Sequence, residues 1–435
     1  MANTYLQKTF STTGDRQKFT LSMWVKRGIV PVGNQSGTEG FLFQAYQDSG
    51  NQDQIWLQSN GTINYVRNNA NAVTPSQMLR DPNAWYHIVF AGDTTQGSNA
   101  DRLKVYINGT QAPIGQQDTI TQGSNFGAIN NAQQYTFGKR NSNDWYFDGS
   151  MSHIHLIDGT AYTPSAFGET DATTGEWKIK TSPSVTYGNN GFFILKDGNS
   201  VTDQSGEGNN FTVASGTLTK TEDSPSNVFA TMNPLIPGQT NYTYSNGNNT
   251  ITQGSAAWVK SNSTLGMSSG KYYWEAKYVS GSYTVVGVDK TDTATPYPST
   301  SSSAVGWKRN GNVEVATTPQ TDIASYAHGD IVSVALDMDN GCVYFGKAGV
   351  WQNSGDPTSG SSKTGAYSLP SYVANTPYFA TVSPYGSGAT SMNFGNGYFG
   401  TTAVSSAGTN ASGIGIFEYD VPTGYTALST KGLNL

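Results

Sequence analysis

Two of the four histidines, His153 and His155, stand two apart in MSHIHLID, a stretch with strand character in which alternate residues share a face and two imidazoles would reach one metal ion. No third ligand is near in sequence, so the pair is expected to serve the packing of a strand, and no metal is assigned to it. Asp197-Gly198-Asn199 and Asp337-Met338-Asp339 begin like calcium loops, but neither continues to the closing glutamate such a loop requires. Glu275 and Glu314 are single acids on expected strands and are read as pointing into water. The one cysteine, Cys342, has no partner in the chain and is expected to be a buried strand residue. There is neither a Gly-x-Ser-x-Gly elbow nor a Gly-x-x-x-x-Gly-Lys-Ser/Thr loop, so no catalytic residue is assigned and the chain is expected not to be an enzyme.

Recognition chemistry is better represented. The phrase KRNSNDWY, from Lys139 to Tyr146, sets Asn143 beside Trp145 and Tyr146. Tyr297 stands among hydroxyls, and Trp351 opens a long segment to Leu369 with little strand pattern, the mark of a functional loop or of a clamp between subunits. Rings with amide and hydroxyl neighbours stack on the C–H faces of sugars while the polar groups catch hydroxyls. Asn143, Trp145, Tyr146, Tyr297 and Trp351 are therefore the candidate glycan or partner contacts. The competing expectation is that Trp145 and Tyr146 turn into the core at a strand start.

Rigid elements must carry these loops, and the sequence supplies strands. In FTLSMWV, Phe19, Leu21, Met23 and Val25 fall on one face, and Tyr272, Trp274, Ala276 and Tyr278 do the same in KYYWEAKY. Short strands at 41–43, 55–57, 62–66, 85–90 and 103–107 are separated by loops of Gly, Asn, Gln and Asp, and no amphipathic helix of useful length can be written through them. Between Gly329 and Trp351 an apolar strand through Val332, Val334 and Leu336 is expected to turn at Asn340-Gly341, in a type I′ geometry, into a second arm at 342–345. An isolated hairpin is marginal in water, so this one must lie on a second sheet. The expected architecture is all-β: two tandem antiparallel sandwiches, 1–222 and 223–435, divided where Pro225, Pro234 and Pro237 interrupt any strand.

Composition narrows the partners. Charged residues make up 12% of the 435, against a usual share of ~25%, and Gly (50), Tyr (25) and amide and hydroxyl residues fill the surface role. With a net charge of −6 and Lys and Arg no denser than pairs such as Lys139-Arg140, no basic stripe exists to track phosphates, and nucleic acid is not an expected partner. The first residues lack a basic-then-apolar signal and no run of 18 apolar residues occurs, so the expectation is a protein made in a cytoplasm without membrane insertion. A nearly uncharged surface offers little self-repulsion, and a homo-oligomer is expected, a trimer before a dimer.

The strand ending in Trp85-Tyr86-His87, the variable loop after it, the strand closed by Asn108-Gly109, the passage FDGSMSHIHLIDGTAYTPSAFGE (147–169) and the turn DQSGEGN (203–209) resemble laminin G-like and concanavalin A-like jelly rolls. The order GKYYWE (270–275), VGV (286–288), GDIVSVALD (329–337) and VYFG (343–346) resembles a SPRY domain, another two-sheet jelly roll used for binding. The first resemblance implies that a calcium ion at a sheet rim is admissible in the first domain; no other cofactor is indicated. Relatives of that superfold include laminarinase-type glycosidases, but their Glu-x-Asp-x-x-Glu strand, which sets two carboxylates about 5 Å apart, is absent.

The phrases FATMNPL (229–235), WQNSGDPTSG (351–360), SMNFG (391–395) and VPTGYTALST (421–430) resemble those of virion proteins from tailed bacteriophages. That resemblance implies a non-enzymatic component of the virion surface, made in the host cytoplasm, whose partners are other tail or capsid proteins and host surface glycans. A tail-fibre or receptor-binding role is the first expectation and a capsid-decoration or head-fibre role the second. A free-standing lectin or a glycan hydrolase is the alternative from another class.

Overall fold

The computed structural model describes residues 3–28, 40–141, 145–196, 200–236, 239, 241–290 and 300–435. Strands dominate them, and the chain divides into two compact units, Met1–Lys220 and Thr221–Leu435. Each unit is a sandwich of antiparallel sheets, as the alternating patterns require.

In the first unit a six-stranded sheet runs in the order Phe192–Ile194, Gly149–Asp158, Lys18–Arg27, Tyr86–Asp93, Leu103–Ile107, Thr110–Gln111. Facing it, an eight-stranded sheet runs Ile114–Gln117, Ala70–Pro75, Ile63–Arg67, Asn51–Leu57, Gly40–Asp48, Gln134–Phe137, Tyr5–Thr9, Thr212–Ser215. Phe19, Leu21, Met23 and Val25 meet Phe43, Ile55, Tyr65 and Tyr135 between the sheets. A bulge between Phe41 and Phe43 breaks strict alternation, so Leu42 and Phe43 both enter the core cluster while Phe41 and Gln44, though buried, lie outside it. The Asn108-Gly109 turn is a two-residue hairpin loop with φ of +47° and +81°.

The second unit has a larger sheet ordered Tyr242–Ser245, Thr250–Gln253, Ala389–Asn393, Lys271–Ser280, Ile331–Asp337, Cys342–Lys347, Val350–Trp351. It packs on a six-stranded sheet that includes Phe379–Tyr385, Tyr283–Asp289 and Val305–Lys308. The hairpin expected at Asn340-Gly341 is present, but its loop has four residues, 338–341, and only Gly341 takes a positive φ. The reason is local: the Asp337 carboxylate accepts from the Asn340 backbone N–H and side-chain amide, which widens the turn beyond a type I′ pair. Both faces of the larger sheet are covered. Val334, Leu336 and Trp274 fill the sandwich, while Tyr273, Ala335, Cys342 and Tyr344 meet Phe417, Val421 and Tyr425 of the C-terminal segment. Cys342 is buried, as its place on a strand suggests. The Pro-containing passage beyond Val228 belongs to this unit: Ala230 N–H donates to Leu428, and Phe229 and Met232 are buried.

Candidate functional site

The described candidate contacts fall in both units. Asn143 and Tyr297 lie outside the described residues, as do Asp197, Gly198 and Asn199. Trp351, in the second unit, is half-buried against Tyr273, with ring centroids 6.3 Å apart. Trp145 and Tyr146, in the first unit, separate because successive strand residues point to opposite sides. Lys139 bridges Tyr146 and the Arg140 N–H donates to the Trp145 carbonyl, which makes the passage a narrow hairpin. On one side the Lys139 ammonium sits 5.2 Å from the ring centroids of both Tyr5 and Tyr146. On the other, the Arg140 guanidinium lies 5.4 Å from Phe41 and 5.3 Å from Trp145, and Trp56 stacks on the far end of the cluster, 5.4 Å from Phe41 and 13° from parallel.

This second cluster stands on the face of the eight-stranded sheet turned away from the core, beside a polar network in which Gln44, Gln52 and Thr136 are buried and Gln134 and Asn141 half-buried. The Asn141 N–H donates to Gln44 Oε1 (2.6 Å), Gln44 Nε2 donates to Gln52 Oε1 (3.2 Å), and Thr136 and Gln134 hold the Asn141 side chain at 2.9 and 3.0 Å. Trp56, Arg140, Trp145 and Tyr146 are all half-buried, so neither the core nor the fully exposed alternative describes these rings. Phe41 and Trp56 went unrecognised in the sequence because the bulge that takes Phe41 out of the core cluster has no local signature; the paired aromatics on adjacent strands were the available signal.

The histidines are structural. The expected common face of His153 and His155 is overturned by a bulge between Ser152 and His155, with His153 at φ +47°. His155 is buried, stacked 3.9 Å from Phe193 and bonded through Nδ1 to the Tyr187 hydroxyl, and burial holds its pKa well below the ordinary value. His87 is sandwiched between Trp24 and Trp177 at 4.8 and 5.9 Å. Trp177 Nε1 donates to its Nδ1, so the ring proton is on Nε2 and goes to Ser22 Oγ; burial depresses this pKa to about 3. Among the described residues no group of three His, Cys, Asp or Glu is placed to hold a metal ion.

Glu275, Glu314 and Asp53 are engaged as well. Glu275, expected to be solvated, is fully buried because the C-terminal segment covers its face of the sheet. It accepts from Tyr273, from Asn393 and from the backbone N–H groups of Glu418 and Tyr419 at 2.8–3.2 Å. Burial, opposed by these donors, raises its pKa to about 7. Glu314 is paired with Lys308 at 2.5 Å. Asp53 takes the Tyr65 hydroxyl and three successive N–H groups of Gly127, Ala128 and Ile129, which pins a loop.

Residues 2–160 match the family model described as the concanavalin A-like lectin/glucanases superfamily, and residues 271–396 match that of the SPRY domain. The first unit thus carries a concanavalin A-like, laminin G-like module, of a superfamily of lectins and glucanases, and the second a SPRY domain. Among solved structures, the chain is similar to the SPRY domain of human HERC1 (22% identity over 35% of this chain and 92% of that chain, TM-score 0.29). It is also similar to a heptameric SAP-like pentraxin from Limulus polyphemus (16% identity over 37% and 72%, TM-score 0.28). No curated protein matches.

Proposed function

We propose that the chain is a non-catalytic adhesion protein of a tailed-bacteriophage virion surface, in a tail-fibre or receptor-binding role, and that its first unit contacts host surface glycans. The observation that carries the glycan contact is the pair of half-buried rings Trp56 and Trp145 packed around buried Phe41, beside the half-buried amides of Gln134 and Asn141. Rings of this kind offer flat apolar surface at low entropic cost, and amides supply paired donors and acceptors for hydroxyls. The virion assignment is supported by the phage-like phrases at 229–235, 351–360, 391–395 and 421–430. The non-catalytic part of the reading rests on the motifs the sequence lacks; the two isolated strand acids, Glu275 and Glu314, are committed to protein partners.

A shallow, wet site gains little per contact, so single-site affinity is weak and several copies per particle compensate by avidity. Antibody labelling of intact particles tests the location: label on the tail supports the assignment, label on the capsid moves the protein to a decoration role, and purified virions without it refute the virion reading. Incubating the purified chain with host surface polysaccharide should leave polymer length unchanged; depolymerisation would make it an enzyme.

A further inference from the structure

Arg140 is chemically unlike the other enclosed arginines of the chain. Arg16, Arg67, Arg102 and Arg309 each donate to backbone carbonyls. The Arg140 side chain donates to nothing among the described residues: its guanidinium lies beside the rings of Phe41 and Trp145, 5.4 and 5.3 Å from their centroids, and its buried Nε, like those of Arg16 and Arg67, has no hydrogen-bond partner. The indole Nε1 of Trp56, in the same cluster, is likewise a buried donor without an acceptor. Trp274 and Trp307 also leave indole N–H groups unpaired, but those residues are wholly enclosed in the second unit's core, whereas Trp56 keeps part of its surface in water. A half-buried guanidinium beside rings, with no acceptor for its terminal N–H groups among the described residues, has those donors free to pair with an anion.

We propose that this face binds an acidic saccharide, with Arg140 receiving its carboxylate or phosphate and Trp145 and Trp56 flanking the sugar; the inference rests on the glycan-adhesion reading and specifies its ligand class. The chain's net charge of −6 works against binding acids in general, so the selectivity is local to this cluster. Neutral sugars offer Arg140 only uncharged hydroxyl acceptors, without the charge-assisted, bidentate pairing of a carboxylate or phosphate, and should bind more weakly.

The test uses the full chain against a panel of uronate-bearing and phosphorylated oligosaccharides, each beside its carboxyl-reduced or phosphatase-treated counterpart. The expected result is binding of acidic members and its loss in the treated counterparts, with carboxyl reduction and phosphatase telling the two anions apart. Arg140→Gln should weaken binding about tenfold or more, and Arg140→Lys, which keeps the charge without the planar edge, should weaken it less. Binding of the neutral counterpart as tightly as the acid overturns the acidic class while leaving glycan adhesion in place. Unchanged acid binding by a folded Arg140→Gln protein overturns the assigned site; should that variant not fold, Arg140→Lys and the wild-type comparison of paired sugars still decide. If cell attachment survives periodate oxidation of surface sugars and no panel member binds, the parent reading fails.

Discussion

The two sheets of the first unit turn very different backs to the outside. The six-stranded sheet is sealed by its own chain. Trp177 lies over His87 and bonds to it, and Phe167, Tyr187 and Phe193 bury His155. Gly109, at φ +81°, leaves room for the Trp177 ring, which would lie 2.4 Å from a Cβ placed there. The eight-stranded sheet instead carries buried Gln44, Gln52 and Thr136 in a bonded polar network beside half-buried Trp56 and Trp145 and an arginine whose side chain has no acceptor among the described residues. One face is completed by the protein, and the other has its donors left over. That difference, more than the sandwich itself, is what the proposed glycan contact rests on, since the sandwich is shared by proteins of many functions.

The sharpest way to break this comparison is acid. Protonating His87 at Nδ1 sets an N–H against the Trp177 N–H and charges a buried ring. Its folded pKa is about 3 against 6.5 for the free group, so the stabilisation is complete above pH 6.5 and is lost as pH falls toward 3, by on the order of 5 kcal/mol. His155, depressed by burial, acts in the same direction. Region-resolved hydrogen exchange between pH 7 and 4 should show the 168–179 hairpin and the six-stranded sheet losing protection first. Uniform loss over both sheets would mean that the sealed face is not a separate acid-sensitive layer.

Truncation tests the packing half of the same contrast. Phe193→Ala removes a buried ring 3.9 Å from His155 and should cost about 4 kcal/mol by chemical denaturation, as large-to-small changes in enclosed sites do. A loss below about 1 kcal/mol would show that the covering segment lies loosely on the sheet.

The second unit offers a sealed face of opposite sign. The C-terminal segment is held by Glu275, whose pKa is about 7 in the fold against 4.5 for the free group. A raised acid stabilises below pH 4.5, and that contribution is lost as pH rises through 7, so the second unit should become less stable between pH 5 and 8 by about 3 kcal/mol. Glu275→Gln should flatten that slope. If both units weaken together in acid and neither responds above pH 6, the covering of the larger sheet does not depend on this carboxyl.

Much of the strand plan was legible because alternation survives wherever one face meets a core: Phe19 to Val25 and Tyr272 to Tyr278 sit inward as the period dictates. The seals were not legible. Trp177 and His87 are 90 residues apart, and nothing local marks their contact. Glu275 looked solvated because its strand alternates well, and only the C-terminal segment, 143 residues on, makes its face an interior one. Asn340-Gly341 and Asn108-Gly109 read alike, yet only the second forms the two-residue loop, because Asp337 captures Asn340. Of the candidate contacts, Trp145 and Tyr146 were visible as aromatic residues among amides, whereas Phe41 and Trp56 required the bulge and the register of adjacent strands.

The smallest stability effect should accompany a large functional one. Trp145 is half-buried, touches Phe41 at 5.8 Å and lies beside the Arg140 guanidinium. Contacts of this kind at a partly wet site contribute about 1 kcal/mol, so Trp145→Ala should leave the first unit folded with its urea midpoint only slightly lowered. Attachment to host cells should nevertheless fall, because the ring supplies contact area that no neighbour replaces, and avidity magnifies each weakened site across the copies on a particle. Tyr146→Ala is the internal control: its ring packs with Lys139 and Tyr5 on the other side of the hairpin, so it should cost similar stability and affect attachment less. If Tyr146→Ala abolishes attachment while Trp145→Ala does not, the contact surface is the Tyr5 side of the hairpin, and the contrast between the sheet faces has been assigned to the wrong cluster.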